Sequence, residues 1–246
     1  MSTFLEPLLL LSYFVIYPLI GWLTFERQRR AIREGRSSRW LLYGEIFLVE
    51  WVATAAVAGI WISSQLSSSA LGLDWPSGER ATLAWSLAMV ALAALATQVA
   101  TGRKSAGWRQ QMRDELAPVD ALMPTRSREM AGFAALSLTA GFCEEVLFRG
   151  FLFWWLQSLG LNVAFAAVGT VVVFGLAHSY QGPKGLLRAT AAGAVLIALV
   201  LLAGSLWPAI LLHMGMDLIG GWTALAAHSK KPDDEGSIAA GQPHAA

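Results

Sequence analysis

The chain reads as an all-α, polytopic transmembrane bundle of about seven helices. Three observations point there. Hydrophobic residues make up 55% of the 246-residue sequence and charged residues only 14%, against about 25% charge in a soluble domain. Mean hydropathy is +0.51. Apolar runs recur at lengths near the ~20 residues that cross the hydrocarbon core as helix.

The expected spans fall at 7–24, 40–62, 81–100, 129–157, 162–179, 185–203 and 206–226. No basic region precedes the first and no small-residue cleavage pattern follows it, so it reads as a retained span. Between the third and fourth lies a polar connector, 101–128, with the amphipathic character of a surface helix ending near Pro124. The stretch 228–246 is polar and carries Pro and Gly, the composition of a disordered tail. Residues 1–227 thus form one membrane domain, with no internal repeat. A single cysteine, Cys143, excludes an internal disulfide and a cysteine-built zinc cage.

Charge sets the orientation. All of the 18 Lys and Arg except Arg80 and Arg149 lie in segments 25–39, 101–128, 180–188 and the tail. Seven spans put those segments on one side. The positive-inside rule makes it cytoplasmic, with the N-terminus outside and the C-terminus inside. Trp22, Trp40 and Trp222 fall at inner span ends, and Trp61, Trp154, Trp155 and Trp207 at outer ends, as an aromatic belt requires. This describes an integral protein of a bacterial inner membrane, with the bilayer as its solvent and no nucleic-acid partner.

The fourth span carries the chemistry. Gly141-Phe142-Cys143-Glu144-Glu145-Val146-Leu147-Phe148-Arg149-Gly150 places two carboxylates and a guanidinium inside an apolar helix. Each charge at the bilayer centre costs at least ~2.5–3.5 kcal/mol on insertion scales, so an intramembrane ionisable residue is a functional candidate by default. Glu145 and Arg149 stand i, i+4 in the favoured acid-then-base order and can neutralise one another. Glu144 projects about 100° away and has no cation on its own helix. Desolvation favours the proton-holding form of a carboxylate, which suits a general base. Helix packing or simple ion pairing is the competing use, but one ion pair does not require the second glutamate.

Two histidines sit in apolar surroundings. Glu144 and His178 lie equally far from a turn near Leu161, so a hairpin of spans four and five brings them to one depth. Phe174 precedes His178 by a turn and could wall a pocket. His213 and Asp217 stand i, i+4 on the last span, after Trp207-Pro208. Residue counting puts His213 nearer mid-bilayer than Glu144 by one or two turns, an offset that helix tilt must absorb. The last four spans would then enclose a polar intramembrane cavity.

Glu144-Glu145-x-x-x-Arg149, Phe174-x-x-x-His178 and His213-x-x-x-Asp217, in that order, resemble the CAAX-protease and bacteriocin-processing family of intramembrane endopeptidases, which includes the type II CAAX prenyl endopeptidases. The resemblance covers about residues 120–222. It implies that Glu144 and His178 activate the hydrolytic water. Glu145 and Arg149 would form the supporting ion pair, and His213 with residue 217 would stabilise the oxyanion. Phe174 would line the substrate pocket. Prenyl endopeptidases usually have asparagine where this chain has Asp217. An ionised aspartate donates no hydrogen bond, so Asp217 is expected to be protonated or to orient His213. The implied mechanism is glutamate-type and needs no cofactor. The metal-dependent alternative makes Glu144, His178 and His213 ligands of a divalent ion such as zinc. The implied substrate is a membrane-associated peptide or protein, prenylated or not.

Two other classes compete. Intramembrane carboxylates and histidines also build proton or cation pathways, and Glu45 and Glu50 on the second span would suit a transporter. An immunity or scaffold protein could keep the fold without hydrolysis.

Overall fold

The computed structural model describes residues 2–229. Apart from its first two residues, the polar tail expected at 228–246 lies outside them. The described residues form helices joined by turns and loops, with no strand among them. The elements are α1 (Ser2–Leu11), α2 (Tyr17–Arg33), α3 (Arg39–Ser63), α4 (Glu79–Gly102), α5 (Ala106–Leu116), α6 (Ser127–Glu144), α7 (Phe153–Ser158), α8 (Val163–Ala177), α9 (Gly182–Ala203) and α10 (Trp207–His228). A π-helical turn, Ser12–Ile16, fuses α1 to α2, and a longer one, Glu145–Leu152, fuses α6 to α7. Among the described residues, six helical stretches are long and apolar enough to cross a membrane, and α8 is a shorter apolar helix. Leu19, Leu23, Val52, Ile62, Val90, Phe165 and Leu187 are all exposed. An apolar outer shell of this kind is unfavourable in water and satisfied by lipid.

Local chemistry sets the ends. Ser38 caps α3 by accepting from Leu41 N, Ser105 caps α5, and Asn162 caps α8, each satisfying an amide left free by the first turn. Gly204 (φ +66°) ends α9 in the left-handed conformation. Pro208 opens α10 where its missing N–H costs nothing.

Two boundaries differ from the sequence expectation. The first span does not stop near residue 24 but continues to Arg33, so Arg27, Arg29, Arg30 and Arg33 ride on helix. Arg29 and Arg33 both bond Asp120 there. The connector helix ends at Leu116 rather than near Pro124. Past it, the carbonyls of Asp120 and Met123 accept from Arg39 and that of Leu122 from Tyr43, so the loop is held by side chains instead of helix. The fifth span, expected at 162–179, is α8 to within two residues, about 22 Å of helix at 1.5 Å per residue, short of the ~30 Å core.

The basic segments meet at one end of the bundle. Besides the Asp120 clamp, Arg188 pairs with Glu115 at 2.8 Å and Arg113 donates to the Ala227 carbonyl at 2.6 Å. At the opposite end Trp61 meets Trp154, and Trp75 meets Trp85 and Trp207. There the segment after α3 folds inward. Leu71 is buried, and the carbonyls of Gly72, Leu73 and Asp74 accept from Leu206 N, Trp207 Nε1 and Ser205 Oγ. The helix that carries His213 therefore starts from this segment.

Candidate active site

The site is built on α6 and its π-helical continuation, α8, and α10. Gly141 makes the α6–α10 approach possible. A Cβ there would stand 2.4 Å from Met214 Cγ and 2.8 Å from the Met214 backbone nitrogen. With no side chain in the way, α10 closes against α6 and brings His213 to Glu145. His213 Nδ1 lies 2.8 Å from Glu145 Oε1. The same carboxylate oxygen accepts from Arg149 at 2.9 Å. Both Glu145 and Arg149 are fully enclosed, so the charges neutralise one another where water cannot.

Arg149 is packed as well as paired. Its guanidinium lies 4.0 Å from the centre of the Phe174 ring, in cation–π contact. It also donates to the Gly193 carbonyl at 3.4 Å. A Cβ at Gly193 would crowd both Phe174 and Arg149. Phe174 stacks obliquely on His178 at 4.5 Å and meets His213 edge-on at 6.1 Å. Phe174 thus touches both histidines, while the cavity beside Glu144 and His178 is lined by Phe148 and not by Phe174.

His178 sits where α8 ends, in a non-helical conformation. Its Nδ1 is 2.8 Å from the Phe174 carbonyl. Only a carbonyl acceptor is available there, so Nδ1 carries a proton, and in the neutral tautomer Nε2 presents a lone pair. That Nε2 lies 3.9 Å from Glu144 Oε2. His213 Nε2 lies 4.0 Å from the same oxygen. The depth offset between Glu144 and His213 suggested by residue counting is thus absorbed. Glu144 Oε2 itself is shielded and has no hydrogen-bond partner among the described residues.

The residues expected from sequence, Glu144, Glu145, Arg149, Phe174, His178, His213 and Asp217, converge. One relationship differs. Asp217 Oδ2 is 4.0 Å from His213 Nε2, beyond hydrogen-bond reach. Glu145, not Asp217, orients the ring. The i, i+4 spacing favoured Asp217, whereas the Glu145 contact depends on a helix crossing that local spacing does not encode. Among the described residues, no three His, Cys, Asp or Glu side chains are spaced to hold one metal ion.

Glu50 also reaches this region. Its Oε1 accepts from Tyr13 at 2.9 Å, its Oε2 has no hydrogen-bond partner among the described residues, and it shares a cavity with Glu144 and His178. Its charge on an apolar span was the available sequence signal. Tyr13, which holds it, carried none.

Fold and site together define a helical integral membrane protein with an enclosed Glu–Arg–His core and a second glutamate between two histidines. Residues 126–219 match the family model described as type II CAAX prenyl endopeptidase Rce1-like. That match, within a few residues of the expected core, is a likeness over that segment to the CAAX-type intramembrane proteases. The match begins just before α6 and leaves α1 to α5 outside it. Comparison with curated proteins and with solved structures gives no match.

Proposed function

We propose that this chain is an intramembrane endopeptidase in which Glu144 activates the hydrolytic water. One observation carries the reading: an unpartnered Glu144 oxygen 3.9 and 4.0 Å from two imidazole Nε2 atoms. Those separations are too long for direct hydrogen bonds and right for one small molecule held between them. A water there donates one proton to Glu144 and the other to the lone pair of His178 Nε2. Its oxygen attacks the peptide carbonyl as Glu144 takes the proton. Glu144 then returns that proton to the departing amine.

His213 fills the oxyanion role. Its Nδ1 proton faces Glu145, so Nε2 donates to a developing oxyanion once the ring carries its second proton. Glu145, neutralised by Arg149, supports that imidazolium at Nδ1, and Asp217, 4.0 Å from Nε2, adds a second carboxylate near it. The reading needs no metal, because Glu144 and His178 supply proton acceptance and His213 supplies charge stabilisation.

The substrate is a membrane-associated peptide or protein, prenylated or not, cut near the basic face of the bundle. By the charge rule that face is cytoplasmic, in a bacterial inner membrane, with the N-terminus outside. The deciding experiment is mass spectrometry of candidate peptides incubated with purified wild-type protein and with Glu144→Gln. Glu144→Gln should remain folded and membrane-inserted and lose roughly 10²–10⁴-fold in rate. Near-wild-type turnover by this variant would remove Glu144 from the mechanism.

A further inference from the structure

At the basic end of the bundle a groove of about 910 Å³ lies where α4 ends, α6 begins and the last turns of α10 pass. Small-molecule sites span roughly 300–1,000 Å³. Both α4 and α10 run towards this end, so depth in the groove follows residue number. On α4, Val99 lies one turn before Arg103. On α10, Ile219 lies nine residues before His228, roughly 14 Å at 1.5 Å per residue. The deep part is therefore apolar, built on Val99, Ile219, Trp222 and Leu225, and the rim carries Arg103, Lys104 and Arg126. No Asp or Glu is among the described residues that line it. Ala96 in the deep part is exposed, and Trp222 is 59% exposed, so that part faces lipid.

The rim cations stand out from their neighbours. Several cations on this face are neutralised within the protein: Arg29 and Arg33 by Asp120, Arg36 by Glu34, and Arg188 by Glu115. Arg103, Lys104 and Arg126 are exposed and form no ion pair among the described residues. Helix dipoles account for two of them, since Arg103 and Lys104 follow the C-terminus of α4, where a cation is favoured. Arg126 has no such reason. It caps the N-terminus of α6, the end that favours an anion. Glu129, the acid in that first turn, is buried and taken by Arg39 and by the amides of Thr125 and Arg126.

We propose that this groove binds an anionic phospholipid, with the phosphate among Arg103, Lys104 and Arg126 and an acyl chain along Val99, Ile219 and Leu225. Basic pockets between helices at the membrane surface receive such headgroups. A free phosphate leaves the apolar part unused. A zwitterionic headgroup brings its own cation beside three others. The bound lipid braces the ends of α6 and α10, the helices that carry Glu144 and His213.

The test needs no hydrolysis. The full chain in neutral detergent is titrated with dioctanoyl phosphatidylglycerol, dioctanoyl phosphatidylcholine or inorganic phosphate. Bound lipid is counted by native mass spectrometry, and thermal unfolding is followed in parallel. Phosphatidylglycerol should bind about tenfold more tightly than phosphatidylcholine and raise the unfolding midpoint. Inorganic phosphate should leave the midpoint unchanged. Arg103→Gln, Lys104→Gln and Arg126→Gln should each weaken phosphatidylglycerol about fivefold. Ala96→Phe should weaken it by filling the apolar part, with every charge kept. The pair Arg27→Gln with Arg30→Gln, outside the groove on the same face, should not weaken it. All these positions are exposed, so each variant is read separately. Equal binding of the two lipids, equal protection by inorganic phosphate, affinity untouched by the groove variants, or equal loss in the Arg27 and Arg30 pair would overturn the proposal. So would lipid binding seen only in a chain cut after Ser229, which would make the acidic run Asp233, Asp234 and Glu235 the occupant.

Discussion

Glu145 and His213, 68 positions apart in the chain, meet at 2.8 Å through an oxygen that also receives Arg149. The carboxylate is the hinge of the site, since it anchors the arginine beneath and the imidazole above. Both contacts are enclosed, so neither is screened by solvent.

The arginine is therefore expected to matter twice. Arg149→Ala leaves Glu145 charged with only His213 for company, and breaking a buried pair from one side typically costs about 3–5 kcal/mol. Thermal unfolding in detergent and peptide turnover should both fall. Combining Glu145→Gln with Arg149→Met removes both charges and should recover much of the stability but not the turnover, because His213 loses its carboxylate. A double variant no more stable than Arg149→Ala would show that the pairing is not what Arg149 contributes.

Asp217 and His213 should separate cleanly. Glu145 orients the ring, so Asp217→Asn should keep substantial activity. His213→Ala should lose roughly 10²–10³-fold, the usual loss for one oxyanion donor. Exhaustive chelation, with metal content checked by elemental analysis, should leave wild-type turnover intact. Inactivation reversed only by added zinc would instead make Glu144, His178 and His213 ligands.

Gly141 offers a test remote from any charge. A methyl group there collides with the Met214 backbone, which cannot rotate aside. Gly141→Ala should force α10 away from α6, with overpacking costing about 1–3 kcal/mol. The displacement separates His213 from Glu145, so turnover should fall by more than the loss of folded protein explains. Normal turnover per folded molecule would mean that the helices close on each other by some other route.

Orientation can be read by thiol labelling. Cys143 is buried, so the native background is quiet. A cysteine at Ser37 should react with an impermeant reagent only after the basic face is made accessible, and one at Ser68 should react in intact cells. The reverse pattern would turn the bundle over and place the site nearer the outer face.

Much of this was legible in the sequence, for identifiable reasons. Span number follows from apolar run length, which the bilayer enforces. The Glu145–Arg149 pair follows from helical spacing. Phe174 beside His178 follows from the same spacing. What spacing does not encode is where two helices cross. The Glu145–His213 bond exists because of Gly141, and a glycine in an apolar helix does not announce its partner. The π-helical stretch Glu145–Leu152 was hidden as well, since its residues read as ordinary helix formers. Such wide turns recur at functional sites, and this one begins at the residue holding both Arg149 and His213. The end of α8 at Ala177 falls within two residues of the expected 179, just past Gly175 and before the polar His178.

The segment that receives Leu206, Ser205 and Trp207 has a consequence for life in real membranes. A helix in a bilayer of the wrong thickness tilts, or draws its ends toward the interface. The start of α10 does not float in this way. Its first residues hang from the carbonyls of Gly72, Leu73 and Asp74, and Leu71 from the same segment packs against Gly150, one residue after Arg149. Both sides of the Glu145–His213 contact are thus referred to one protein anchor instead of to the lipid surface. Thinning or thickening the bilayer shifts the outer helices, while the distance on which the chemistry depends stays set by the chain itself.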